Sequence, residues 1–399
     1  MPSTPGSMRA LAAARMLAAA RMLAAACLLA AACMLAAARM LAAACLLGVA
    51  CAPGIVRAAA APDAGIYSAV TPGRPLVFPA DHGSHPDYRT EWWYVTGWLT
   101  TQNGESLGFQ VTFFRTRPGV AEDNPSAFAP RQLLIAHCAL SDPKRGRLWQ
   151  DQRIRREGFD LAEAKTGDTD VWIDDWKLER RGNVYETTVV AEDFSLNLNF
   201  TPTQPPMLNG VAGVSRKGPQ ADAASYYYSV PHLQVAGTVV RAGSSQRVSG
   251  EAWLDHEWSS EYLDSEAVGW DWIGINLDDG GALMAFRIRG ANGQSRWTGG
   301  SLRGADGHLQ ILDTADVGFA PRRAWASPRT GIKYPVEWLV RAGAREFELR
   351  PLLDDQENDT RLTTGAIYWE GAVRAYERQR PVGRGYLELT GYGEKLRLR

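Results

Sequence analysis

Cysteine is almost absent from most of this chain. Of five cysteines, Cys27, Cys33, Cys45 and Cys51 fall at the N-terminal end, and only Cys138 lies beyond them. No disulfide can form within residues 62–399, so a packed core must hold that part together. Acidic residues are missing from the opposite side of that divide, because none precedes Asp63. The N-terminal run instead repeats a six-residue unit, LAAARM or LAAACL, from Leu11 onward, with Arg9, Arg15, Arg21 and Arg39 supplying positive charge. This pattern predicts an export leader over residues 1–61. A membrane anchor fits less well, since arginines recur and the uninterrupted stretch Met40–Val56 is shorter than the roughly 20 residues that span a bilayer. Cleavage is expected at the small-residue run Ala58–Pro62. The alternative is LGVAC, with Cys51 lipidated and the protein attached to a membrane. The expected location is periplasmic or secreted, a lipid-anchored envelope protein being the alternative.

A basic surplus is lacking too. Five arginines and no acids precede Ala58, so the chain's 43 basic residues fall to 38 against 44 acidic ones without the leader, a net charge of −6. That balance argues against nucleic acid as a partner, since its binding needs a basic footprint. Long segments of helical period are likewise missing after residue 62. Short alternating runs rich in Trp, Tyr, Thr and Val appear instead, separated by Asn/Asp/Gly turns; all fourteen tryptophans lie beyond the leader. The pattern is all-β and antiparallel, hairpin after hairpin, suited to barrels or sandwiches. Arg131–His137 (RQLLIAH) is ambiguous between helix and strand. Thr203–Gln220 has the Pro/Gly content of a long surface loop, of the kind that shapes access to a barrel mouth.

Two hairpins look alike. EWWYVTGWL-TTQNGES-LGFQVTFFR begins at Glu91, and VGWDWIGINL-DDGG-ALMAFRIR begins at Val268. An offset of 178 superposes Trp92 on Trp270 and Leu99 on Leu277. An internal duplication is expected, giving two antiparallel barrel domains at 66–258 and 259–399 that meet near Trp258–Gly269.

Familiar catalytic signatures fail. His256-Glu257-Trp258-Ser259-Ser260 begins like a zinc-protease motif but lacks its second histidine, and no nucleophile elbow, phosphate loop or dinucleotide fingerprint is present. His82 and His85 have no obvious third ligand in the sequence, so neither a metal nor a cofactor is expected. The aromatic and acidic clusters carry more chemistry. Alternation puts Glu91, Trp93, Val95, Gly97 and Leu99 on one face of their strand, and Asp271, Ile273, Ile275 and Leu277 on one face of theirs. An acid heading an apolar row inside a barrel would have its pKa raised by burial and could serve as a general acid. Asp271 is the first candidate and Glu91 the second. Trp270 and Trp272 would exclude water and face a developing cation. Alternation also places His256 on an apolar face with Leu254 and Trp258. Asp255 and Glu257 then fall on the other face, toward solvent or the domain seam. His256 is expected near Asp271 at one cavity mouth.

DYRTEWWYVTGWLTTQNGESLGFQVTFFR, GEAWLDHEWSS, GWDWIGINLDDGGALMAFRIR and YWEGAV…GRGYLELTGY together resemble the carotenoid 1,2-hydratase family in the broad sense. The nearer branch is the AttH-like proteins, described as secreted hydrolases. The resemblance runs from about Gly65 to Gly391. It implies two lipocalin-like (calycin) antiparallel barrels packed together, with an apolar cavity for a lipid-like or isoprenoid molecule. It further implies protonation of an alkene and capture of the cation by water. Asp271 would be the acid and His256 its partner, with Trp258, Trp270, Trp272, Trp93 and Tyr94 as walls. A non-catalytic lipophile carrier linked to a cell-envelope ABC transporter is the alternative.

Overall fold

The structure, a computed structural model, describes residues 66–120 and 122–396. The leader, the cleavage run and Cys51 lie outside the described residues. The first sheet is built from β1 (Thr90–Thr101), β2 (Ser106–Thr116), β3 (Leu133–Asp142), β4 (Arg147–Arg156), β5 (Ala162–Ala164), β6 (Asp170–Ile173), β7 (Trp176–Arg181), β8 (Val184–Val190), β9 (Phe194–Pro202), β10 (Met207–Leu208), β11 (Val214–Arg216), β12 (Ala224–Arg241) and β13 (Ser244–Ser259). The second comprises β14 (Ala267–Leu277), β15 (Ala282–Gly290), β16 (Ser295–Arg303), β17 (Leu309–Leu312), β18 (Val317–Ala326), β19 (Lys333–Ala342), β20 (Arg345–Pro351), β21 (Glu357–Thr360), β22 (Ala366–Glu377) and β23 (Arg380–Leu389). Every ladder is antiparallel. The ambiguous Arg131–His137 segment enters β3, a strand. The Thr203–Gln220 loop contributes the short strands β10 and β11, which lie along β12.

The two sheets share one plan. In the first, the order β4-β3-β2-β1-β13-β12-β9-β8-β7 places the first strand between the second and the last; in the second, β17-β16-β15-β14-β23-β22-β20-β19-β18 does the same. Strand for strand, β1 matches β14, β13 matches β23 and β12 matches β22, so the two sheets repeat one strand order, as a duplication would produce. The first sheet curls into a nearly closed barrel, its β4 edge held near the β6–β7 turn by ion pairs such as Arg155–Asp174 at 2.8 Å.

Peripheral strands alternate as one-sided sheets should. In β19, Tyr334, Val336, Trp338 and Val340 point inward while Lys333 and Arg341 face water. The paired inner strands behave differently: β15, ALMAFRIRG, is buried along its whole length. One face fills its own barrel and the other packs on the opposite barrel. This second face joins Tyr94, Trp98, Trp253, Trp272, Met284, Phe286 and Tyr386 in a shared seam core. Polar latches tie it down. The Trp98 indole donates to Gly385 O at 3.0 Å, and His232, at a bulge in β12, donates through Nε2 to Gly281 O at 2.7 Å. Gly108 permits the closest approach, because a Cβ there would sit 2.6 Å from Ala372 Cβ.

Candidate active site

Both barrel interiors hold a buried acid, and both acids are already committed. Glu91 accepts from Arg115 Nε at 2.8 Å, from His85 Nδ1 at 2.7 Å and from His256 Nε2 at 2.9 Å. Burial alone would raise its pKa, but His85 and Arg115 outweigh that and hold it well below the ordinary carboxylate range. His85 donates its other ring nitrogen to Asp81 at 2.9 Å, so it sits as an imidazolium between two carboxylates. Burial lowers the pKa of His256, which is neutral and takes a hydrogen bond from the Tyr228 hydroxyl at 3.1 Å. Trp93 stacks on His256 and Trp258 on His85, with centroids 4.7 and 3.7 Å apart.

Glu91, His256, Trp93 and Trp258 thus sit together in a hydrogen-bonded and stacked cluster inside the first barrel, apart from Asp271, Trp270 and Trp272, with which they were expected to share a cavity. Donors that the sequence did not offer do converge on His85, though not on His82. Ligand atoms of His85, Glu91 and His256 lie within 4.8 Å of one another. Yet Glu91 is saturated by a guanidinium and two imidazoles at hydrogen-bond distance, so the donor set fits a proton chain better than a cation.

Asp271 repeats the theme in the second barrel. It heads the row Ile273, Ile275, Leu277, as alternation required, and is fully buried. It is not a lone acid, however. Arg287 Nε lies at 2.7 Å, Arg289 Nε at 3.1 Å and the Tyr392 hydroxyl at 2.8 Å. Both of its oxygens are thus engaged, by two guanidinium groups and a tyrosine hydroxyl, in a closed hydrogen-bonded cluster. Nor does it meet His256, whose side chain fills the other barrel.

The unpaired acids lie at the seam. A cavity of about 70 Å³ is walled by Trp92, Tyr94, Phe114, Tyr262, Trp270 and Trp272, with the carboxyl groups of Asp255, Glu257, Glu370 and Glu388 around it. Strand register explains the grouping. On one side β1 sets Tyr94 opposite Asp255; on the other β14 sets Trp272 opposite Glu388, which in turn faces Glu370 on β22. The two halves contribute matching positions, an aromatic beside an acid. Tyr94 and Trp272 touch edge to face, 5.2 Å between centroids.

These four acids differ in their partners. Asp255 accepts from Ser229 at 2.6 Å, the Trp253 indole at 2.7 Å and the Tyr227 hydroxyl at 2.7 Å. Burial nevertheless outweighs those bonds and, with the nearby Glu257 charge, pushes its pKa up to about 7. Glu388 accepts the Trp270 indole at 2.7 Å, and burial raises it as well. Glu370 is the extreme case. Tyr94 and Tyr368 are its neighbours, yet its Oε1 and the Tyr94 hydroxyl have no partner of hydrogen-bonding geometry among the described residues. Burial and then the Glu388 charge place its pKa well above the ordinary range. Glu257 alone has a cation, Lys217 at 2.8 Å. Thr90 and Tyr262 also line a second, larger cavity of about 890 Å³, walled in part by the linker residues Ser260–Ser265 and Ala267.

Of the wall residues expected from sequence, Tyr94, Trp270 and Trp272 are in this chamber. Asp255 and Glu257 were placed at solvent or seam, and the seam is where they are. Glu370 and Glu388 were missed. A signal existed: Tyr368-Trp-Glu370 and Tyr386-Leu-Glu388 each put a glutamate two residues after a tyrosine, on the same face of its strand.

A family model for AttH-like proteins matches residues 69–392. The chain belongs to the AttH-like family. Among solved structures it is similar to an AttH candidate from Nitrosomonas europaea, with 55% identity and a TM-score of 0.78 over 82% of this chain and 100% of that one. A more distant likeness is to kievitone hydratase from Nectria haematococca, with 14% identity and a TM-score of 0.63, covering 82% of this chain and 96% of that one. This second likeness is one of fold. No curated protein matches the sequence. In this AttH-like chain two lipocalin-like units meet, and Asp255, Glu370 and Glu388, which make no ion pair among the described residues, lie between them rather than in their lumens.

Proposed function

We propose that the seam chamber of this AttH-like protein is a general-acid site that adds water to a double bond of an apolar, lipid-like or isoprenoid molecule. The observation that carries this reading is Glu370, a fully buried carboxyl with an unpartnered oxygen facing an aromatic chamber. Its raised pKa keeps the proton in place at neutral pH. Transfer of that proton to one alkene carbon breaks the π bond and leaves a cation on the other. Trp270, Trp272 and Tyr94 offer their π faces to it. Water supplies the new C–O bond, and its released proton passes to an ionised carboxylate of the cluster. The cavity is ample for that water, which needs about 10–15 Å³. The hydratase named among the structural neighbours is in keeping with such chemistry.

A lipophile carrier serving an envelope ABC transporter would use the same chamber without turnover. It gains nothing from an unpartnered acid, whose burial costs about 1–3 kcal/mol, so the catalytic reading is preferred. With the export leader expected from the sequence, the proposed reaction takes place in the periplasm or outside the cell, attachment through a lipidated Cys51 being the alternative. The test is a panel of prenylated phenols and isoprenoid alkenes in deuterated water. Wild-type protein should yield hydrated, singly deuterated product. Glu370→Gln should lose at least 100-fold in rate and Asp271→Asn should keep it; full activity in Glu370→Gln would sink the reading.

A further inference from the structure

Lys217 is the one buried lysine among the described residues, with its side chain 1% exposed. It comes from the Pro/Gly-rich loop that looked from sequence like a surface feature. There the chain leaves β11 at Arg216, is pinned by the Lys217 N–H to Ala223 O at 2.7 Å, and turns its ammonium into the seam. Nζ meets Glu257 Oε1 at 2.8 Å. Aromatic rings from three segments close around it: Phe286 of the second sheet at 4.2 Å, Tyr227 of the first at 4.7 Å and Tyr262 of the linker at 5.2 Å. Burial lowers the pKa of Lys217 and raises that of Glu257. Their ion pair and the cage of rings work against both shifts, in favour of the charged forms.

Four carboxyl groups therefore share a desolvated space with one cation. Burying a net charge is far costlier than holding protons, so the cluster settles close to neutrality. One anion balances Lys217, and geometry names it: Glu257 is the only one of the four within ion-pair distance of a base. Asp255, Glu370 and Glu388 have hydroxyl, indole or no partners instead. Asp264, which lies beside the loop at Gly218, is engaged by Arg296 at 2.9 Å. The tyrosines facing the cluster (Tyr94, Tyr227, Tyr262 and Tyr368) are all raised by burial and stay neutral.

We propose that Lys217 is a positioning residue that fixes Glu257 as the standing anion of the chamber, leaving the other three carboxyl groups to carry its protons. In the hydration reading on which this role rests, Glu257 is then the carboxylate that faces the cation and receives the proton released by water. The proton inventory itself stands apart from that reading, because it is measured without substrate.

The experiment is infrared spectroscopy of the full-length protein near neutral pH. It counts the carbonyl band of protonated carboxylic acids by its downshift in deuterated water. Glu257→Gln should leave that band at wild-type intensity, because Glu257 carries no proton to lose. Lys217→Met should add one carboxyl's worth, as Glu257 takes up a proton once its cation is gone, while Lys217→Arg should restore the wild-type spectrum. Loss of intensity in Glu257→Gln would overturn the proposal, as would an unchanged band in Lys217→Met. Should Lys217→Met fail to fold, Glu257→Gln decides the matter alone. A wild-type band intact in a protein that hydrates nothing would reject the hydration reading and keep the inventory.

Discussion

Glu370 and Glu388 face each other across β22 and β23, and neither makes an ion pair among the described residues. Two carboxyls so placed cannot both ionise cheaply, and the pair titrates as a unit. Their folded pKa values lie above the unfolded ones. The stability they contribute is therefore complete below about pH 4, where both states are protonated, and is lost as pH rises toward the folded values. Replacing Glu370 by Gln removes its share of that dependence and leaves the share of Glu388. Denaturation at a series of pH values should find the variant within about 0.5 kcal/mol of wild type near pH 4, and more stable by about 1–3 kcal/mol at pH 8. A constant difference across that range would contradict the assignment.

The barrel acids have the opposite sign. Glu91 sits well below the ordinary range, and Asp81, held by its bonds to His85, Val77 and Arg74 against the effect of burial, is lowered to about 2. Their stabilisation is present above the unfolded pKa and lost as pH falls through the folded one. Breaking such a pair leaves an uncompensated buried charge, a loss of about 3–5 kcal/mol. Glu91→Gln, which strands Arg115, and Asp271→Asn, which strands Arg287 and Arg289, should each lower the denaturation midpoint by that order. Both should leave the turnover per folded molecule within a few-fold of wild type. Large kinetic losses without destabilisation would return the chemistry to the barrel interiors.

Much of the fold was legible, and the reason is periodicity. Hairpins with Trp92 and Trp270 in register announced the duplication, and alternation sorted Leu254, His256 and Trp258 from Asp255 and Glu257. What alternation cannot say is which face is lumen and which is seam, because both are apolar in β1, β13, β14 and β15. Trp93 and Trp258 were therefore grouped with Tyr94 and Trp272, although they point into the first barrel. Asp271 was read as unpaired for a related reason. Its arginines lie on the neighbouring strand β15, and cross-strand register is invisible until the hairpin closes.

Tyr94 gives a sharper separation of packing from function. Its hydroxyl lies beside Glu370 but meets no partner of good hydrogen-bonding geometry among the described residues, so removing it sacrifices at most a weak bond. Tyr94→Phe should change stability by less than about 1 kcal/mol. If the hydroxyl orients the reacting end of the ligand, the rate should fall roughly tenfold or more, a loss corresponding to about 1.4 kcal/mol of transition-state binding. Stopped-flow binding and single-turnover kinetics distinguish this from weaker affinity. An unaltered rate would remove Tyr94 from the site.

The most direct test of the seam chamber as a hydration site lets the protein select its own substrate. Lipid extracts of the native cell envelope are incubated with wild-type, Glu370→Gln or Asp271→Asn protein in water enriched in oxygen-18 and compared by mass spectrometry. The predicted result is a lipophile that gains one labelled water with wild type and Asp271→Asn but not with Glu370→Gln. Equal labelling by Glu370→Gln and wild type, or labelling lost in Asp271→Asn alone, would contradict it.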